Sequence, residues 1–272
     1  MSRIAARFAS LKAAGQKAFI PFLAAGDPDL ETFAALLASL PQAGCDLIEI
    51  GIPFSDPMAD GPAIEQANLR AFAAGISLQK ILGIVARFRT QDNETPLVLM
   101  GYANPLYAYG LEAFVADAAR AGVDGLIIVD LPPEEDGELR RLTERHALDI
   151  VRLIAPTTDA KRLPVVLKNA SGFLYYVSVT GITGSKQVSV DPVRHALASI
   201  RPHTSLPIAV GFGITTPEQA RTIADTADAV VVGSAIVKLI AANLDSHNRA
   251  KSDLINNVLA FVETLAKATH TR

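Results

Sequence analysis

Glu49, Asp56 and Asp60 lie within sixteen residues, "LIEIGIPFSDPMADGP" (47–62). Glu49 interrupts an apolar, β-branched run, while the two aspartates follow in a turn-rich segment with three prolines. In an extended strand Leu47, Glu49 and Gly51 share one face, and Ile48 and Ile50 share the other. An ionised carboxylate in such a strand is costly unless it is paired, and no arginine flanks the motif. Burial would raise its pKa and turn it into a usable general acid/base. Asp60 suits a second catalytic role but also ordinary Asp-Gly turn chemistry, or a cap on a helix opening at Pro62. Asp56, before Pro57, reads best as a turn residue.

A second kind of chemistry is written in glycine. "VGFGI" (210–214) and "VVGSAIVK" (231–238) end two apolar runs, and Gly184 lies in "TGITGSKQVSV". Glycine lets backbone N–H groups approach an anion, and a helix N-terminus attracts its charge. Gly213, Gly233 and Ser234, with Gly184, therefore form a candidate phosphate cradle. Phe22, Met100, Tyr102, Ile127, Val129, Leu153 and Tyr175 lie at or near the ends of apolar runs. They can line an apolar pocket or simply pack a core; Tyr102 and Tyr175, with polar tips, favour the pocket.

These residues need a frame. Eight short apolar runs supply it: 18–26, 46–52, 96–102, 125–130, 149–155, 172–179, 207–213 and 229–234. Between them lie segments of helical periodicity, such as "LETFAALLASLPQAG", "LEAFVADAARAG" and "TPEQARTIADTA". Caps are expected at Asp27 or Asp29, at Thr216 and at Asp191. With no linker or charge run to divide the chain, residues 1–272 read as one domain, an α/β fold of the (β/α)8 TIM-barrel type with an extra N-terminal helix. A doubly wound open sheet is the alternative. In a barrel, chemistry belongs to the loops at the C-terminal ends of the strands, and loops after strands seven and eight recurrently hold phosphate. A closed barrel has no edge strand on which Glu49 could reach solvent.

Composition excludes much else. The chain has 272 residues, 50% of them apolar, and a net charge of −3. No basic cluster suggests a nucleic-acid surface, and no run approaches a membrane span. Cys45 is the only cysteine, so disulfides and thiolate metal cages are out and a reducing cytoplasm fits. None of the nine lysines falls in a proposed strand, which removes a Schiff-base nucleophile. The five histidines show no metal-ligand spacing. Carboxylate acid/base catalysis on a small phosphorylated substrate remains.

The motifs "IPFLAAGDPD" (20–29), "LIEIGIPFSDPMADGPAI" (47–64), "GYANPLYAYG" (101–110), "VTGITG" (179–184), "GFGI" (211–214) and "VGSAIVK" (232–238) closely resemble the tryptophan synthase α subunit family, in order and spacing. The resemblance implies a barrel lyase that cleaves indole-3-glycerol phosphate to indole and glyceraldehyde 3-phosphate. It implies no cofactor in this chain, and a β-subunit partner with pyridoxal phosphate that joins the indole to serine in an α2β2 heterotetramer. Carried over by motif, Glu49 is the acid/base and Asp60 holds the indole N–H. Gly184, Gly213, Gly233 and Ser234 bind phosphate, and Thr183, Phe212 and Tyr175 lie near the substrate. Pro53, Phe54, Asp56 and Pro57, with the "YANP" turn, would meet the β subunit. Glu65-Gln66 departs from the family, which usually has Gln directly after the Ile of "PAI", and Val179 stands at a variable position; neither touches a catalytic role. Competing readings are another phosphate-binding barrel of the same pathway, such as an isomerase or an indole-glycerol-phosphate synthase, the latter being expected to carry a strand lysine, and a non-catalytic barrel kept as an activating subunit.

Overall fold

Each apolar run becomes a strand because its β-branched residues suit a pleat buried on both faces. The structure, a computed structural model, describes residues 2–177, 190–211 and 213–270. The strands are β1 (Ala18–Ala24), β2 (Ile48–Gly51), β3 (Leu97–Gly101), β4 (Gly125–Ile128), β5 (Asp149–Ile150), β6 (Arg152–Ile154), β7 (Leu174–Val177), β8 (Ile208–Gly211) and β9 (Ala229–Val232). All pairings between them are parallel, in the order β5-β4-β3-β2-β1-β9-β8-β7-β6. Only Val151 separates β5 from β6, so together they form one barrel strand, and the sheet closes on itself with eight positions. The open-sheet alternative is thereby excluded.

Helices follow the strands, among them Leu30–Ser39, Pro62–Ala73, Leu111–Ala121, Pro217–Ala224 and Ser234–Ala242, and the chain's last described helix is Leu254–His270. Asp29, not Asp27, caps the first of these, accepting from Glu31 N and Thr32 N. Thr216 and Gln219 form a reciprocal capping box. Asp191 does not precede its helix: the helix runs Val190–Ile200, and Asp191 sits in its first turn. Among the described residues no single helix is long and apolar enough to cross a membrane.

Two apolar layers result from strand alternation. Ile48 and Ile50 join the layer between barrel and helices, whereas Leu47 joins Val98, Ile127, Tyr175 and Ala209 inside the barrel. The helix Arg3–Ala14 plugs the N-terminal end of that interior with Ile4, Phe8 and Leu11. Each such side chain, fully buried, contributes about 1.5–3 kcal/mol. Ser2 caps this helix and Gly15 ends it in the left-handed conformation. One barrel end is closed by packing, which leaves the other for chemistry.

Candidate active site

Glu49 follows Leu47 by two residues, so its side chain enters the barrel interior. Its strand is buried throughout, Glu49 itself is 2% exposed, and one of its carboxylate oxygens, Oε2, has no hydrogen-bond partner among the described residues. Burial pushes its pKa up to about 8. The register sets Glu49 between Phe22 of β1 and Val98 of β3. Gly51, on the same face, must lack a side chain, because a Cβ there would run into the Phe22 ring. Tyr175 stands inside as well, its phenol raised by burial and by the Glu49 charge. Gly211 leaves room for its hydroxyl.

Asp60 is held differently. Its Oδ1 accepts from Tyr102 OH at 3.0 Å and its Oδ2 from Asn68 Nδ2 at 3.1 Å. Burial raises its pKa, and those two donors oppose the rise. The helix-cap alternative fails, since the N-cap of Pro62–Ala73 is Gly61, not Asp60. Tyr102 OH also accepts from Ala59 N at 3.1 Å, and its ring rests against Phe54 with centroids 5.3 Å apart. Tyr102 therefore fastens the loop after β2 to the end of β3.

The apolar candidates gather at this end of the barrel. Phe22 and Met100 pack with Ala24, Ile64, Ala67 and Val237 at the mouth. Ile127, Leu153 and Tyr175 belong to the interior cluster just below, which Met100 also touches. Val129 lies past the end of β4, half-buried, with its N–H bonded to Gly101 O; it is in neither cluster. Gly213, with φ +66°, and Gly233 follow the neighbouring strands β8 and β9. Gly233 is the N-cap of Ser234–Ala242 and Ser234 its exposed first residue, so the first N–H groups of a helix face outward there. Thr183, Gly184 and Phe212 lie outside the described residues.

Sequence reasoning missed two partners. Asn68 was hidden by the separation of eight residues from Asp60, although an Asn between Ala67 and Ala71 on an apolar helix face is a readable sign. Arg70 pairs with the buried Asp27, which explains why Asp27 is not a cap.

A barrel mouth with one interior carboxyl, one tethered carboxylate and a helix N-terminus two strands away has the parts for acid/base cleavage of a phosphorylated substrate. The family model for the tryptophan synthase alpha chain matches residues 8–270. The chain belongs to the tryptophan synthase alpha chain family. A tryptophan synthase alpha chain from Gluconacetobacter diazotrophicus is 56% identical over 268 residues, covering 98% of each chain. Among solved structures, the alpha subunit from Legionella pneumophila superposes with a TM-score of 0.90 at 38% identity, over 99% of this chain and 98% of that one. A tryptophan synthase chain from Mycobacterium tuberculosis gives 0.89 at 32% identity, over 100% and 99%. The activity that goes with the family is the alpha reaction, lyase cleavage of indole-3-glycerol phosphate to indole and glyceraldehyde 3-phosphate.

Proposed function

We propose that Glu49 performs both proton transfers of this cleavage and that Asp60 carries the charge that appears between them. The reaction needs a proton on indole C3 and the loss of one from the hydroxyl on the adjacent side-chain carbon. With a pKa near 8, Glu49 starts protonated at neutral pH and can deliver to C3. The ring then holds a positive charge at its nitrogen, and the Asp60 carboxylate accepts its N–H. Glu49, now a buried carboxylate, takes the hydroxyl proton; the carbon–carbon bond breaks, its electron pair restores the aromatic ring, and the aldehyde leaves. Glu49 ends as it began. The observation that carries this reading is a carboxyl deep inside the barrel with one oxygen that has no partner among the described residues.

Phe22, Met100, Tyr102, Ile127, Val129, Leu153 and Tyr175 would line the indole pocket with Thr183 and Phe212, and Gly184, Gly213, Gly233 and Ser234 would hold the phosphate. The step uses no cofactor in this chain. The partner is a β subunit carrying pyridoxal phosphate, in an α2β2 heterotetramer, docking on Pro53, Phe54, Asp56 and Pro57. The contact of Phe54 with Tyr102, which bonds Asp60, supports a route from docking to catalysis. We read residues 1–272 as one barrel domain and assign it to the cytoplasm, a compartment that suits its single free cysteine.

The test is indole release from indole-3-glycerol phosphate by wild type and Asp60→Asn, alone and over a β-subunit titration. Asp60→Asn should lose most turnover and less affinity, because the charge it meets arises after C3 protonation. Wild type should gain about tenfold or more from the β subunit, a factor worth ~1.4 kcal/mol. Unchanged turnover in Asp60→Asn would leave Asp60 a turn residue, and no activation would sink the coupling.

A further inference from the structure

The helix Pro62–Ala73 begins two residues after Asp60 and lies over the barrel mouth, where Ile64 and Ala67 pack with Phe22, Ala24 and Val237. Asn68 is 5% exposed, beside the fully buried Ala67 and Ala71. A buried amide is costly unless it is bonded. The bond it makes is to Asp60 Oδ2. A carboxylate has no proton to offer, so the amide must present its NH2. Asp60 thus meets one donor at each oxygen, from two separate elements, and the plane of its carboxylate is defined. Two residues on, Arg70 grips Asp27 through Nε at 2.6 Å and Nη2 at 2.9 Å. Asp27 is 1% exposed, so shifting this helix would break a buried ion pair.

We propose that Asn68 is a positioning residue for the cleavage, aiming the Asp60 carboxylate at the ring nitrogen while the Arg70–Asp27 pair fixes the helix that carries it. The proposal rests on the reading of Asp60 given above. Each carboxylate oxygen has two acceptor sites, so a donor from Asn68 leaves room for the indole N–H. Hydrogen bonds to the ionised form also favour that form. Without Asn68 the carboxylate keeps only the Tyr102 bond, so its plane is no longer fixed and it takes up a proton at higher pH.

Steady-state indole release across the pH range tests this with wild type, Asn68→Ala, Asn68→Leu, Asp60→Asn and the Asp60→Asn/Asn68→Ala double variant. The leucine keeps the volume that alanine gives up. Both Asn68 variants should lose between about tenfold and a hundredfold in kcat, the worth of a hydrogen bond to a charged group. Their KM should move by less than about threefold, and the acid limb of the profile should shift to higher pH. The double variant should be no slower than Asp60→Asn alone. If Asp60→Asn is as active as wild type, the role of Asp60 itself is wrong. An inactive Asp60→Asn beside Asn68 variants with wild-type kcat and profile overturns only the positioning role. So does a pH-independent loss, a loss that multiplies with Asp60→Asn, or failure of both Asn68 variants to fold, since each assigns Asn68 to packing.

Discussion

At the N-terminal end of the barrel, acceptor side chains just ahead of alternate barrel strands capture the backbone of the strand before. Asp46 accepts from Phe19 N, Asp124 from Leu97 N, Ser171 from Ile150 N and Asp228 from Ile208 N, each at 2.8 Å. Asp124, 6% exposed, also pairs with Arg3 and Arg89, and Asp46 lies 2.7 Å from His270 Nε2. At the other end Glu49 is at least as buried and has an oxygen with no partner among the described residues. The same chemical group is a fastener where its charge is met and a reagent where it is not. A carboxyl that burial strips of water without supplying a donor favours its proton.

Glu49→Gln is the sharpest way to break that contrast. Turnover should fall by about 10²–10⁴-fold in the indole-release assay, the usual scale for a lost general acid/base. Stability should move the opposite way. The folded pKa of about 8 lies above the ordinary glutamate value of 4.5, so the folded state binds the extra proton and wild type loses stability as pH rises from 4.5 to 8. The Gln variant escapes that loss and should be the more stable form above pH 8, by at most about 5 kcal/mol, in denaturant titrations. No gain at high pH would mean that Glu49 ionises without penalty.

Asp124→Ala should do the reverse. Removing it takes the counter-charge from Arg3 and from the largely buried Arg89, and should cost about 3–5 kcal/mol of stability while kcat stays near wild type. A selective fall in kcat would show that the two ends are not separable. Ser234→Asp puts a negative charge at the helix N-terminus after β9 and should raise KM by about tenfold, with little effect on melting. An unaltered KM would move the phosphate site elsewhere. The smallest effect is expected for Ser2→Ala, which loses the cap and a bond to Asp149. It should cost about 1 kcal/mol, seen as a melting temperature lower by roughly 2–4 °C with unchanged turnover.

The sequence was most readable where physics is local. Each of the eight apolar runs contains a strand, because a parallel strand buried on both faces needs an unbroken apolar stretch, and Glu49 stood out as a breach of that rule. The N-terminal helix and the Thr216 cap were legible for the same reason. Asn68, Asp27 and the acceptors ahead of alternate strands were not, since their partners are eight to forty-three residues away and depend on the closed barrel. Asp46, Asp124 and Asp228 look like turn residues until the neighbouring strand is beside them. Tyr102 was expected as pocket lining; its bonds to Ala59 and Asp60 appear only when the loop after β2 folds over it.

The four backbone captures have a bearing on how the chain could be divided. Phe19–Asp46, Leu97–Asp124, Ile150–Ser171 and Ile208–Asp228 join barrel strands one to two, three to four, five to six and seven to eight. Among the described residues no such bond links strand two to three. A nick between Asp46 and the helix before it would separate a captured pair, whereas a nick in the turn around Asp92–Asn93 would leave every pair within its own fragment. Fragments cut at the second position should therefore recombine into a working barrel more readily than fragments cut at the first, and the unit in which this fold can be taken apart is a couple of strands rather than one.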